Sequence, residues 1–327
     1  MSRRWQVLAA VAALLIAGCG EREVRSSAAP VVSAAPACPA AAPLRVDARV
    51  RVGPGVGPVA VAGDTLWTAR PAAGVLIPVR AGARPRAGRP VRIGGAPVSL
   101  AAGFGGVFVA DRDRDRILRV DAAGHAIVRW ATVQAPIKIG VAGEELFAVS
   151  LDDGALYRLQ GRTPGAGPDV PIPARAPVDA VYEAGDTWVL GGADGGLAPF
   201  SVRQNRFSRT GVKLPVRVVG AIAAGQGAVW AALPNARSVA RIESPRASLS
   251  VLPASRGFRP TAIAVDDCTV WVGDARGRVQ RIDPRTAHPL DRPVRIGRSL
   301  AALVSDRGGV WASDPVDGTV VRVAAGR

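Results

Sequence analysis

Lysine is almost missing from this 327-residue chain: of 42 basic residues only Lys138 and Lys213 are lysine, and the others are arginine. Histidine occurs twice, as His125 and His288, and cysteine three times, as Cys19, Cys38 and Cys268. That scarcity excludes a zinc ribbon or a disulfide-dense mini-scaffold, which need more such residues at short spacing. No nucleophile-elbow or phosphate-loop pattern occurs. No apolar run reaches the ~20 residues of a comfortable membrane-spanning helix. Beyond residue 18 no segment carries a helical apolar stripe. The chain is 48% hydrophobic, which excludes wholesale disorder. Its formal net charge of +16 accompanies an excess of Ala, Gly, Arg and Pro, so part of that charge reads as coding bias.

What is present begins with a leader. Met1-Ser2-Arg3-Arg4 precedes the apolar run QVLAAVAALLIAG and then Cys19. A short basic region, an apolar core and small residues before a cleavage point describe a signal peptide over 1–18. Leu15-Ile16-Ala17-Gly18-Cys19 resembles a bacterial lipobox, and the resemblance implies that Cys19 is lipidated and anchors the mature chain to a membrane. An ordinary secretory signal is the alternative. Residues 19–44 are rich in Ala, Pro and Ser and read as a lipid anchor and tether, spanning roughly 25–30 Å on average.

The rest of the chain, 45–327, repeats. An aromatic recurs at Trp67, Phe108, Phe147, Trp188, Trp230, Trp271 and Trp311, at spacings of 41, 39, 41, 42, 41 and 40. Proline opens the first strand in five repeats, and arginine recurs in the third strand at Arg119, Arg158, Arg241, Arg281 and Arg322. Repeats one and four carry Pro78 and Pro199 near that place, which predicts irregular or edge third strands there. Segments such as GVFVA, AVWAA and TVWVG are valine-rich, aromatic and bounded by Gly, Asp or Pro, so they read as strands. Four short strands per forty residues, seven times over, predict an all-β fold: a seven-bladed β-propeller of four-stranded blades. The last repeat supplies three strands. The segment 46–53 matches the fourth strands of other repeats, so an N-terminal strand is expected to close the last blade and remove an exposed edge.

The pieces VFVADRDRDRILRVD and VWVGDARGRVQRID resemble NHL and YVTN propeller repeats, and the layout is similar to the virginiamycin B lyase-like superfamily. That resemblance implies a His/Glu/His cluster with a divalent metal if the activity is shared. The two histidines fall in turns of repeats two and six, three blades apart, with no Glu beside either. The chain therefore reads as more non-enzymatic than enzymatic, with no catalytic residue, metal or cofactor expected.

Two positions past the opening of each inner strand stand Ala60, Ser99, Lys138, Asp179, Ala221, Ala262 and Ala302. Neighbouring blades should set Ser99, Lys138 and Asp179 side by side on the central channel, either as an ion pair satisfying the channel or as a small-ligand site. Cys38 and Cys268 fall on one face at adjacent blades, so a disulfide between them is geometrically allowed in an oxidising compartment. The stretch Asp111-Arg112-Asp113-Arg114-Asp115-Arg116 lies between the second and third strands of repeat two. Asp274 and Arg276 in repeat six and Asp314 in repeat seven hold equivalent places. Asp suits such turns, and these residues are candidate rim contacts.

These readings favour an exported, membrane-tethered scaffold in the cell envelope, facing periplasm or exterior. Its expected partner is a protein or an anionic envelope component. Nucleic acid is disfavoured, and a monomer is expected. A channel-based small-ligand sensor or lyase-like enzyme and an envelope protein-assembly factor remain as alternatives.

Overall fold

The computed structural model describes residues 42–123, 126–173, 176–192, 195–209, 211–216, 219–244 and 246–325. The signal peptide, Cys19, Cys38, His125 and most of the tether lie outside them.

Seven antiparallel sheets form the propeller. Blade two is representative, running outward as Pro97–Gly103, Gly106–Asp111, Arg116–Asp121 and Ile127–Thr132. Inner strands of adjacent blades flank one another around a central channel. Because the strands alternate in direction, two sets of loops result. The upper face holds the loops between second and third strands and those leading from one blade to the next. The lower face holds the turns between first and second and between third and fourth strands.

The second strands are the most deeply buried; in blades two, five, six and seven every residue of that strand is buried. All seven recurrent aromatics are buried there at 2% exposure or less. Each blade hides both sheet faces, one against each neighbour, so a large side chain once per blade fills the wedge between sheets. Trp311, for example, packs with Val50, Leu66, Val75 and Val320 across blades seven and one.

The last blade is composite. Leu44–Arg51 pairs antiparallel with Thr319–Ala325, from Leu44 opposite Ala325 to Arg51 opposite Thr319. The sheet order puts this N-terminal strand outside Thr319–Ala325, Gly309–Asp314 and Ala302–Asp306. The chain is anchored ahead of that strand too, where the Arg281 guanidinium donates to the Ala42 carbonyl at 2.5 Å.

The expected irregularity of blades one and four lies one strand further out than Pro78 and Pro199. Their third strands, Val75–Arg80 and Gly196–Ser201, are regular six-residue strands. The fourth strands are broken into Arg86–Ala87 with Val91–Arg92, and Arg206–Phe207 with Val212–Lys213. The reason is the missing proline N–H. The Pro78 carbonyl accepts from the Gly88 amide at 2.7 Å and that of Pro199 from Ser208 at 2.8 Å. In a strand, a residue's N–H and C=O point to the same side, so the absent donor faces the fourth strand and interrupts that ladder alone.

Candidate functional site

All seven blades together build a central channel. It encloses about 620 Å³, and Ala60, Ser99, Lys138, Asp179, Ala221, Ala262 and Ala302 all line it. Alanine at four of these places keeps one side smooth and apolar, while the polar groups gather at blades two to four.

Those polar groups hold blades together. Ser99 Oγ accepts the Ile139 amide at 3.2 Å. Lys138 Nζ meets Asp179 Oδ1 at 2.6 Å, with side chains 28% and 14% exposed. The Asp179 carboxylate also accepts the Ala180 amide at 2.9 Å and the Ile222 amide at 3.0 Å. One relay of side chains thus crosses from blade two to blade five. On the other side, Ser305 Oγ donates to the Val265 carbonyl at 2.8 Å and Ser313 Oγ to that of Gly57 at 2.7 Å. Inner strands of different blades lie too far apart for a backbone ladder, so these side chains satisfy backbone groups left without one.

On the upper face the candidate rim residues divide sharply. Asp111, Asp274 and Asp314 are buried, at 0%, 1% and 2% exposure. Asp111 accepts the Ala96 amide at 2.9 Å and the Arg116 Nε at 2.8 Å. Asp274 takes the amides of Arg276 and Arg278 and the Arg278 guanidinium. Asp314 accepts from the Arg298, Val316 and Asp317 amides and from Ser299 Oγ. Burial pushes the Asp314 carboxyl up, but Ser299 and these amides outweigh it and hold the group below the usual carboxylate range. Each aspartate is a bracket that closes its own loop, and Asp111 and Asp314 also bind the loop arriving from the previous blade. Gly95, at φ +71°, leaves room for this: a Cβ there would stand 2.0 Å from Asp111 Oδ1. Arg112, Asp113, Arg114 and Arg276 are exposed. Arg112 and Asp113 approach each other at 3.7 Å, so the alternating stretch is half bracket and half solvated rim.

The recurrent third-strand arginines were seen as a repeat, but their purpose lies in the cross-strand register. Arg119, Arg158, Arg241, Arg281 and Arg322 stand directly opposite Phe108, Phe147, Trp230, Trp271 and Trp311. Arg241 and Arg281 lie over the Trp230 and Trp271 rings at 5.7 and 6.0 Å. Arg158 is held by both oxygens of Glu145, at 2.8 and 2.6 Å. Arg322 is held by both oxygens of Asp306, at 2.9 and 2.8 Å, and by Asp47 at 2.7 Å. Its hydrogen bonding to Asp306 leads in raising the Arg322 pKa above the ordinary arginine value.

A second cavity, of about 690 Å³, opens on the lower face between blades seven and one, lined by Arg45, Asp47, Asp306, Trp311 and Arg322 among others. It adjoins the loop ahead of blade one's broken fourth strand. Its charges pair internally: Arg45 with Asp47 at 3.0 Å and Arg322 with both acids. Sequence reasoning missed it because its wall comes from segments at opposite ends of the chain.

His288 is exposed in a lower-face turn, with Nδ1 2.8 Å from the Thr286 carbonyl. Among the described residues no three His, Cys, Asp or Glu side chains come together as a metal-binding group. Cys268 is disulfide-bonded, and its partner lies outside the described residues.

No family model matches the chain, and no curated protein does. Solved structures share its fold. Virginiamycin B lyase from Staphylococcus aureus aligns with a TM-score of 0.72 at 12% identity, covering 86% of this chain and 99% of that one. Hydrazine synthase from Kuenenia stuttgartiensis aligns with a TM-score of 0.72 at 13% identity, covering 82% and 95%. The WD40 propeller domain of Doa1 aligns with a TM-score of 0.72 at 9% identity, covering 88% and 98%. Proteins with such different names share one ring, so the fold alone chooses no activity among them. The chain has the seven-bladed propeller architecture that its virginiamycin B lyase neighbours also have.

Proposed function

We propose that this chain is an exported bacterial lipoprotein whose propeller is held at a membrane through Cys19 and serves as a binding scaffold in the cell envelope. On this reading it faces periplasm or exterior and engages a protein or an anionic envelope component through its upper-face loops. The observation that carries the binding part is how the channel's polar side chains are used. Lys138 and Asp179 neutralise each other, and Asp179 and Ser99 also accept backbone amides of neighbouring blades. Their donors and acceptors are thereby committed to ring structure, while the exposed loop residues of the upper face are free to meet a partner. The lipobox-like Leu15–Cys19 segment and the Ala/Pro-rich tether support the anchoring part. Several acyl chains, at about 0.8 kcal/mol per buried CH₂, anchor stably where one does not. Within the same reading Cys38 is the partner we assign to Cys268.

Fractionation tests the anchor. The wild-type chain is expected in the membrane pellet, released by detergent but not by high salt, and Cys19→Ser in the soluble or unprocessed fraction. Equal membrane retention of Cys19→Ser contradicts lipid anchoring. A small-ligand reading keeps one observation in its favour, the 620 Å³ channel itself, whose size is ordinary for a ligand site.

A further inference from the structure

The upper face is polarised, and the sequence alone hid this because arginines are scattered through every repeat. Its blade-two loop is balanced: Arg116 pairs with Asp111 at 2.8 Å, and Arg112 faces Asp113. Its blade-three loop is acidic, with exposed Asp152 and Asp153 beside exposed Leu151. Blades five to seven carry Arg237, Arg256, Arg259, Arg276 and Arg298, all exposed. Four of these five make no ion pair among the described residues. Arg298 reaches Asp317 only at 3.9 Å. The nearby acids are already spent: Asp274 on Arg278 and Asp314 on backbone amides and Ser299.

The five arginines belong to one continuous surface, because hydrogen bonds join their loops in series. The Ala254 amide donates to the Arg237 carbonyl at 2.8 Å. The Arg278 guanidinium donates to the Gly257 carbonyl at 2.6 Å. The Gly297 amide donates to the Gly277 carbonyl at 3.2 Å. Val316, 53% exposed, adds an apolar spot at the blade-seven end.

We propose that this arginine sector of blades five to seven is a docking surface for a carboxylate-rich segment of a partner protein. It deepens the scaffold reading and rests on it. Guanidinium groups pair with carboxylates as planar forks, which favours arginine over lysine for such a task. Three observations favour a short acidic peptide over a long polyanion. Exposed Arg51 and Arg92 carry the basic surface past blade seven to blade one, but it stops short of blade three, where a uniform polyanion crossing the face would meet Asp152 and Asp153. None of the exposed large hydrophobic side chains is aromatic, and Phe258 beneath the sector is fully buried, so the arginine sector offers no exposed ring for stacking bases. Val316 gives a protein segment an apolar contact that a phosphate polymer lacks.

The test uses the full chain and a fluorescent deca-glutamate probe. Arg256→Glu/Arg259→Glu/Arg276→Glu is expected to weaken binding by about tenfold or more, as reversing a complementary patch does. The same change in charge on the lower face, Arg203→Glu/Arg206→Glu/Arg246→Glu, is expected to weaken it by about twofold at physiological salt, where screening is strong. Equal loss in both triples overturns the sector, because net charge alone then explains binding. Binding of inorganic polyphosphate or anionic vesicles without deca-glutamate overturns the carboxylate assignment. Capture from the native envelope separates this inference from the scaffold reading. If wild type and the upper triple retain the same proteins, the sector falls and the scaffold stands. If wild type retains none while still binding deca-glutamate at the sector, the scaffold falls and the sector stands.

Discussion

A chain that begins at Gly53, without Leu44–Arg51, is expected to lose cooperative folding. That strand forms the outer edge of blade seven and is the covalent route by which the N-terminus joins the last blade. Val50 and Val52 are buried at 6% and 8% exposure in the cluster around Trp311. Full burial of such a side chain contributes about 1.5–3 kcal/mol. Arg49 donates to the Ile296 carbonyl at 2.6 Å, and Asp47 shares Arg322 with Asp306. Removing the strand forfeits these contacts and bares the Thr319–Ala325 edge to aggregation. A loss of about 5 kcal/mol or more rivals the total stability of many domains. Urea unfolding followed by tryptophan fluorescence checks this. A truncated chain that melts within about 3 °C of the parent contradicts closure, since 1 kcal/mol shifts Tm by about 2–4 °C at this size. On the proposed Cys38–Cys268 pairing, reduction of the disulfide at Cys268 is expected to lower Tm by less than the truncation does.

The second large effect belongs to the aromatic wedges. Trp311→Ala is expected to destabilise by about 3–5 kcal/mol, because it opens a cavity between blades seven and one. The finer comparison is between Trp311→Phe and Trp67→Phe. Trp311 Nε1 donates to Asp306 at 2.8 Å. Trp67 Nε1 is buried with no hydrogen-bond partner among the described residues. Both substitutions lose the same ring volume, but only the first breaks a hydrogen bond. Trp311→Phe is therefore expected to cost about 1 kcal/mol more than Trp67→Phe. Equal costs in paired denaturation curves would show that the indole bond contributes nothing.

Those tryptophans explain why the ring was legible in the sequence. One wedge per blade is a geometric demand, so the aromatic returns every forty residues or so, whatever the loops do. Closure was legible for a similar reason: residues 46–53 share the pattern of other fourth strands, and the last repeat lacks one. The partners of the repeated arginines were hidden. Glu145 lies within the second strand, Asp306 ends a first strand and Asp47 belongs to the closing strand, so no fixed offset links them to their arginines. Proline at 78 and 199 announced an irregularity, but its place depended on which neighbour the missing N–H faces. The inner positions Ser99, Lys138 and Asp179 could be placed on the channel by counting from the strand openings. Their bonds to the amides of Ile139 and Ile222 could not, since those join residues 40 and 43 apart through the curvature of the ring.

Site-specific photo-cross-linking in the native envelope tests the scaffold claim most directly. A photoreactive residue replaces Arg112, Arg276 or Val316 on the upper face, or Ala262 or Ala302 on the channel. Discrete protein adducts from the upper-face positions, and none from the channel, are the expected result. Adducts confined to the channel positions, with a low-mass compound and no protein, would contradict the scaffold and establish the channel as the working site.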